Sequence, residues 1–236
     1  MLVTGSSSGI GAAIVRAFAA EGARVAVNST ARSREAGASL AREVGGVYLQ
    51  ADLSDPEAAR EMVEQAAVEL GGLDLLINNA ATTVEIPHED LEAADVEVWR
   101  RVLDLNLIGT WQVTRTAVPH LRRSDSGQVI TITSTSATRP TGSSIPYAVS
   151  KAALNHLTTL LAKALGPEVR VNAVAPGLIE TPWSADWLEA HEHVRETAAL
   201  RRSGTPEDVA LACLLLSKTP YATGTVVTVD GGLSLL

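Results

Sequence analysis

Two kinds of hydrophobic spacing alternate along the 236 residues of this chain. Short aliphatic and β-branched runs occur as LVT (2–4), RVAVN (24–28), GVYLQ (46–50) and LDLLINN (73–79). QVITIT (128–133), VRVNAVA (169–175) and TVVTV (225–229) continue the series. Between them, apolar residues recur three and four apart over Ile10–Ala20, Arg32–Val44, Pro56–Leu70, Val96–Leu121, Tyr147–Leu165 and Pro206–Ser217, which predicts helices. On the first, Ile10, Ile14, Ala17 and Phe18 share one face, and Gly22 ends it. Strands that are apolar on both faces and alternate with helices build a parallel sheet covered on both sides. No repeat or long linker interrupts this order. It predicts one α/β domain over residues 1–236, doubly wound around a mostly parallel seven-stranded sheet, with a short first strand.

Composition narrows the partners. The chain is 46% hydrophobic but has only four Trp, three Tyr and one Phe, so the core is mainly Val, Leu, Ile and Ala. A net charge of -8 argues against nucleic acid or an anionic membrane surface as a partner. The single cysteine, Cys213, lies in the apolar run VALACLLL, where it reads as a buried core thiol. No stretch reaches the roughly 20 apolar residues a membrane span needs, and no basic-then-apolar leader is present, so a cytoplasmic protein is expected. No set of His, Cys, Asp and Glu has metal-site spacing, so no metal is expected.

In a doubly wound sheet, ligands bind beyond the carboxyl ends of the strands. After the first strand comes TGSSSGIG, Thr4–Gly11, leading directly into a helix. Glycines at 5, 9 and 11 permit a tight turn, close ligand approach and close packing of helix on sheet, and the helix N-terminus suits a pyrophosphate. After the second strand, VAVNSTARSR offers no acid before Glu35 to accept the adenosine ribose hydroxyls, while Arg32 and Arg34 are near. A guanidinium suits a 2′-phosphate, so NADP(H) is favoured, with NAD(H) the alternative.

Further along, Tyr147 and Lys151 stand one helical turn apart in YAVSK. Together with TGSSSGIG, ADL (51–53), NNA (78–80), NLIG (106–109), PGLIET (176–181) and VDGG (229–232), this pair carries a resemblance to the short-chain dehydrogenase/reductase family. The resemblance spans nearly the whole chain, and within the family it is strongest to the 3-oxoacyl-carrier-protein reductase type. It implies a Rossmann fold and an NAD(P)-dependent oxidoreductase that interconverts a ketone and a secondary alcohol.

The family pattern assigns Tyr147 as acid/base, Lys151 as its activator and Ser134, thirteen residues before the tyrosine, as the group holding the substrate oxygen. Ser136, Ser143 and Ser144 are then loop hydroxyls. Asn106 completes the group by holding a water that connects Lys151 to solvent. The cofactor supplies only hydride, so the protein must move the proton. A phenol near pKa 10 needs a neighbouring cation to lower it, and Lys151 with the oxidised nicotinamide would provide one. By the same resemblance Gly5, Ser7, Ser8, Gly9, Ile10, Gly11 and Arg32 hold the dinucleotide. Asp52 and Leu53 contact adenine, Asn79 and Ala80 run along the ribose, and Pro176, Gly177, Ile179 and Thr181 flank the nicotinamide. Tyr147 and Lys151 also bind the cofactor. Asp52 reads equally as a helix cap before SDPEAAR.

Two positions depart from the family pattern. Ala81 replaces the usual glycine after NNA, and Ser8 stands where many NADP-preferring members carry a basic residue. The segment at about 182–203 corresponds to the family's substrate lid. In it Trp183 and Trp187, four apart, either form an apolar wall over the substrate or anchor the lid, and His191 and His193 read as exposed. The family also implies a homotetramer, or a homodimer, paired through the Val96–Leu121 and Tyr147–Leu165 helices. The expected partner is a small carbonyl or alcohol substrate. The competing readings are an NAD(H)-dependent alcohol, sugar or steroid dehydrogenase and a non-catalytic nucleotide-binding regulator.

Overall fold

Each apolar run forms a strand in the computed structural model, which describes residues 1–235. The strands are β1 (Leu2–Val3), β2 (Ala26–Ser29), β3 (Val47–Gln50), β4 (Leu75–Asn78), β5 (Gln128–Ile132), β6 (Arg170–Pro176) and β7 (Val226–Val229). They make one sheet in the order β3-β2-β1-β4-β5-β6-β7, and all its pairings are parallel. Alternate strand residues supply two cores, because successive side chains point to opposite faces. Val3, Val27, Ile77, Ile130 and Val174 face one core; Leu2, Ala26, Leu76, Val129 and Val171 face the other.

Helices α1 (Gly9–Ala20), α2 (Arg34–Glu43) and α8 (Pro206–Ser217) cover the first core. Helices α3 (Pro56–Leu70), α5 (Thr110–Leu121) and α6 (Ile145–Leu165) cover the second. The remaining two are α4 (Val96–Leu103) and α7 (Leu188–Thr197). Cys213 is fully buried in the first core, and burial pushes its thiol up to about 12, as suits an inert core residue.

The helices depart from the spacing prediction at α7, which it did not include, and at several boundaries, of which three have a clear local cause. The apolar pattern over Val96–Leu121 is interrupted by a wide π turn at Asp104–Gly109, which divides α4 from α5. Gly109 sits so close to the Leu53 carbonyl that a Cβ would lie 2.6 Å from that oxygen. Helix α2 starts at Arg34 because Ala31–Ser33 form a separate 3₁₀ turn. Helix α6 starts two residues before Tyr147, since Ser144 caps it and Pro146 occupies its first turn.

Arg170, at the start of β6, closes the far end of the sheet. Its guanidinium donates to the carbonyls of Ser217, Thr219 and Ala222 at 3.1 Å and to Gln128 Oε1 at 2.8 Å. The carbonyls ending a helix have no partners within it, so one cation here satisfies the end of α8 and the turn after it. Arg170→Met should lower stability by about 2 kcal/mol in urea unfolding with an unchanged denaturant slope, since carbonyls otherwise paired lose their donor.

Candidate active site

The strand order reverses between β1 and β4, and a cavity of about 1450 Å³ opens beyond the carboxyl ends of the strands. Gly5, Ser7, Ser8, Gly9 and Ile10 line one end of it. Gly5 and Gly9 have φ of 57° and 53°, the left-handed region that glycine adopts without strain. A Cβ on Gly5 would also lie 2.7 Å from Ala80 Cα. Both neighbouring strands stitch this turn in place. Asn28 Oδ1 accepts from Gly5 N at 3.1 Å, and Asn79 Nδ2 donates to the Thr4 and Gly5 carbonyls at 3.0 and 2.8 Å. Thr4 Oγ1 accepts from the backbone N–H of Asn79 and Ala80. Ser8 precedes α1 but makes no side-chain cap. The start of α1 therefore suits an incoming phosphate, and the glycine cradle fits a dinucleotide.

At the adenosine end the wall is Asn28, Ser29, Thr30, Ser33 and Leu53, with no carboxylate among them. Arg32 is outside this wall, exposed on the adjoining 3₁₀ turn. Asp52 is also exposed and outside it, because its Oδ1 accepts from Ser54 N and Ser54 Oγ at 3.0 and 2.7 Å. The cap of α3 is Asp55, whose Oδ1 accepts from Glu57 N at 2.9 Å, so the capping role expected of Asp52 falls three residues later. Gly11 lies behind the wall, packed on the turn itself, where a Cβ would meet Asn79 Nδ2 at 2.6 Å. Asn79, Ala80 and Ala81 line the middle of the cavity, and Pro176, Gly177, Ile179 and Thr181 its far side.

Ser134, Tyr147 and Lys151 come together at that far side. The Ser134 hydroxyl hydrogen-bonds the Tyr147 phenol. Lys151, 3% exposed, donates from Nζ to the Ile132 carbonyl at 2.9 Å and lies 5.6 Å from the centre of the Tyr147 ring. The protein's own groups do not lower the phenol as expected from the lysine. Burial pushes Tyr147 up to about 12, only partly opposed by Ser134, and the same burial brings Lys151 down to about 8. Of the other serines, Ser144 caps α6, Ser143 Oγ lies 2.5 Å from Thr83 Oγ1, and Ser136 Oγ accepts from Ser134 at 3.1 Å.

Asn106 is fully buried in the π turn, and its amide is engaged away from Lys151. Its Oδ1 accepts from Thr82 N at 2.8 Å, and its Nδ2 donates to Thr82 O and Ser150 Oγ at 3.0 Å each. The side chain thus anchors the segment after β4 to α6.

The two tryptophans of the 182–203 segment make different contacts. Trp183 packs edge-on to Tyr147, with ring centres 6.3 Å apart and planes at 69°. Trp187 donates its indole N–H to the Glu85 carboxylate, tying this segment to the loop after β4. His191 is buried, contrary to expectation: Nδ1 meets Ser203 Oγ at 2.7 Å and Nε2 meets the Ser184 carbonyl at 3.0 Å. That carbonyl can only accept, so Nε2 carries a proton. His193 is exposed at the cavity rim. Glu85, Ile86 and His88 also line the cavity from the loop after β4, where no periodicity marked them. Among the described residues, no group of three or more His, Cys, Asp and Glu is placed to hold a metal ion.

The model of a family described as enoyl-(acyl carrier protein) reductase matches residues 5–234. The chain is 54% identical to a Streptomyces violaceoruber protein named as ketoacyl reductase 2 of the granaticin polyketide synthase, over 100% of this chain and 96% of that one. A Burkholderia cenocepacia short-chain dehydrogenase solved in complex with NADP is 34% identical with a TM-score of 0.91, covering 99% of this chain and 96% of that one. A Brucella melitensis 3-ketoacyl-(acyl-carrier-protein) reductase complexed with NADH is 28% identical with a TM-score of 0.92, covering 99% and 97%. The chain belongs to the short-chain dehydrogenase/reductase family. It is an NAD(P)(H)-dependent oxidoreductase acting on CH–OH and C=O groups.

Gly11→Ala tests the cradle without touching Tyr147. The added methyl must displace Asn79 or the Gly5 carbonyl, so dinucleotide affinity should fall about tenfold or more in a fluorescence titration. Unchanged affinity would show that the turn does not need this packing.

Proposed function

We propose that this protein reduces a ketone to a secondary alcohol with NADP(H), reversibly, using Tyr147 as acid and base. The observation that carries this reading is the hydrogen bond between the Ser134 and Tyr147 hydroxyls, with Lys151 behind them, in the same cavity as the glycine turn. When bound, the dinucleotide supplies the hydride to the carbonyl carbon. Gly5, Ser7, Ser8, Gly9 and Ile10 would hold it, with Leu53, Asn79 and Ala80 along its length. Pro176, Gly177, Ile179 and Thr181 would stand at its reactive end.

Tyr147 keeps its proton throughout the physiological range, so it meets the carbonyl as an acid. Ser134 donates to the same oxygen as charge develops there. As the proton leaves Tyr147, the Lys151 ammonium stabilises the phenolate across the ring contact. The Ile132 carbonyl holds the ammonium in place. Asn106 acts here as a positioning residue, fixing the segment that follows Ala81.

The wall without a carboxylate after β2 supports NADP(H), and the NADP complex of the Burkholderia relative agrees with it. The exposure of Arg32 and the NADH complex of the Brucella relative support NAD(H) as a second reading, which assays with both nucleotides decide. Ketoacyl chemistry follows from the name of the Streptomyces relative, and an enoyl thioester belongs in the same panel because the family description names one. The same reading includes a homotetramer or homodimer in the cytoplasm. Ile108, Trp111, Val149 and Leu160 expose apolar surface on the segments that would pair.

Tyr147→Phe should lower ketone reduction about 10³-fold while NADPH binding stays within about twofold, because only the transferable proton is lost. Near-normal turnover would remove Tyr147 from the mechanism. For the wild type, kcat/KM for reduction should be flat at pH 6–7 and fall as pH rises through about 8, where Lys151 loses its charge. A profile flat to pH 10 would show that the ammonium is not required.

A further inference from the structure

Aromatic residues are scarce in this chain, yet three of its eight, Tyr147, Trp183 and Trp187, line the one cavity that holds Ser134 and Lys151. Trp183 remains 45% exposed although it packs edge-on to the phenol at 6.3 Å, so its contact with Tyr147 leaves much of the indole uncovered. Four residues on, Trp187 is tied by Glu85 to the loop after β4. That loop is fixed in turn, because Ile86 N donates to the Ser143 carbonyl at 2.8 Å. The segment carrying Trp183 is therefore tied, through Trp187 and the loop after β4, to the loop that follows β5. An open aromatic surface beside the proton donor is a stacking site, since indole faces favour flat apolar rings.

We propose that Trp183 is the specificity-determining residue of the site and selects a flat cyclic ketone over an acyclic one. This rests on the ketone-reductase reading above. A substrate whose carbonyl oxygen reaches the Ser134 and Tyr147 hydroxyls has its carbon skeleton beside Trp183. A fused or aryl-fused ring covers the indole there, while a flexible chain loses rotational freedom to do the same. Glu85 serves as a positioning residue, through Trp187, for the lid that carries the platform.

The test compares 2-tetralone with ethyl acetoacetate in the wild type, Trp183→Ala and Trp183→Phe, with thermal melting confirming that each variant folds. Trp183→Ala should raise KM for 2-tetralone about fivefold, the size of one aromatic contact, with kcat within about twofold. Its KM for ethyl acetoacetate should not change, and Trp183→Phe should restore most of the tetralone affinity. Equal losses on both ketones, or no rescue by phenylalanine, would overturn the platform while leaving the reductase reading intact. Failure of the wild type to reduce either ketone with either nucleotide would overturn both.

Discussion

The functional end of this molecule depends on how closely the end of β1 approaches the end of β4. At the reversal of strand order, Gly5 sits where any side chain would collide with Ala80, and Asn79 reaches back to the Thr4 and Gly5 carbonyls. That contact does two things at once. It aims the start of α1 into the cavity, and it fixes the strand end from which Ala80, Ala81 and Thr82 run on. Asn106 then picks up Thr82 and passes the constraint through Ser150 to α6, the helix that carries Tyr147 and Lys151. A chain of largely part-buried polar contacts thus joins the glycine turn to the helix that carries Tyr147 and Lys151. Buried amides of this kind are costly to leave unpaired, which makes the path stiff.

Burial dominates the electrostatics at the proton-transfer end. It holds Tyr147 protonated and weakens the hold of Lys151 on its own proton, so the protein alone does not make a phenolate. Under the proposed mechanism that arrangement suits reduction, in which the first demand on Tyr147 is to give a proton. Under the same mechanism the reverse reaction needs the phenolate first, and the Ser134 hydrogen bond opposes burial only in part. Additional positive charge, such as an oxidised nicotinamide carries, is what would shift the balance toward oxidation.

Much of this was legible in the sequence because its cause is local. Strands apolar on both faces, a glycine turn before a helix and residues one turn apart are set by near neighbours, and each appears where its pattern predicts. The less legible features arise from distant contacts. The π turn at Asp104–Gly109 sets Gly109 against the Leu53 carbonyl, a distant contact that helical spacing cannot report. Asp52 and Asp55 are both acids before a helix, and only the turn geometry decides that Asp55 is the cap. His191 looks like a surface residue on a polar helix until Ser203 and Ser184 close around it. Glu85 is 102 residues from Trp187, and no pattern along the chain links them.

The 182–203 segment shows why such distant contacts matter. Its two ends meet, since Ile179 bridges Gly204 and the Leu178 carbonyl accepts from Gly204 N at 2.9 Å. A Cβ on Gly204 would lie 2.5 Å from Ile179 Cδ1, so the two strands of this neck are in tight contact. Above the neck, His191 locks α7 to Ser184 and Ser203 through buried hydrogen bonds. Farther out, Trp187 reaches the body through the exposed carboxylate of Glu85. A buried, fully paired contact resists opening more than an exposed one, whose partners water replaces at little cost. The 182–203 segment is therefore held less firmly at the Trp187–Glu85 contact than at its neck. Trp183, edge-on to Tyr147, lies between these two holds along the chain.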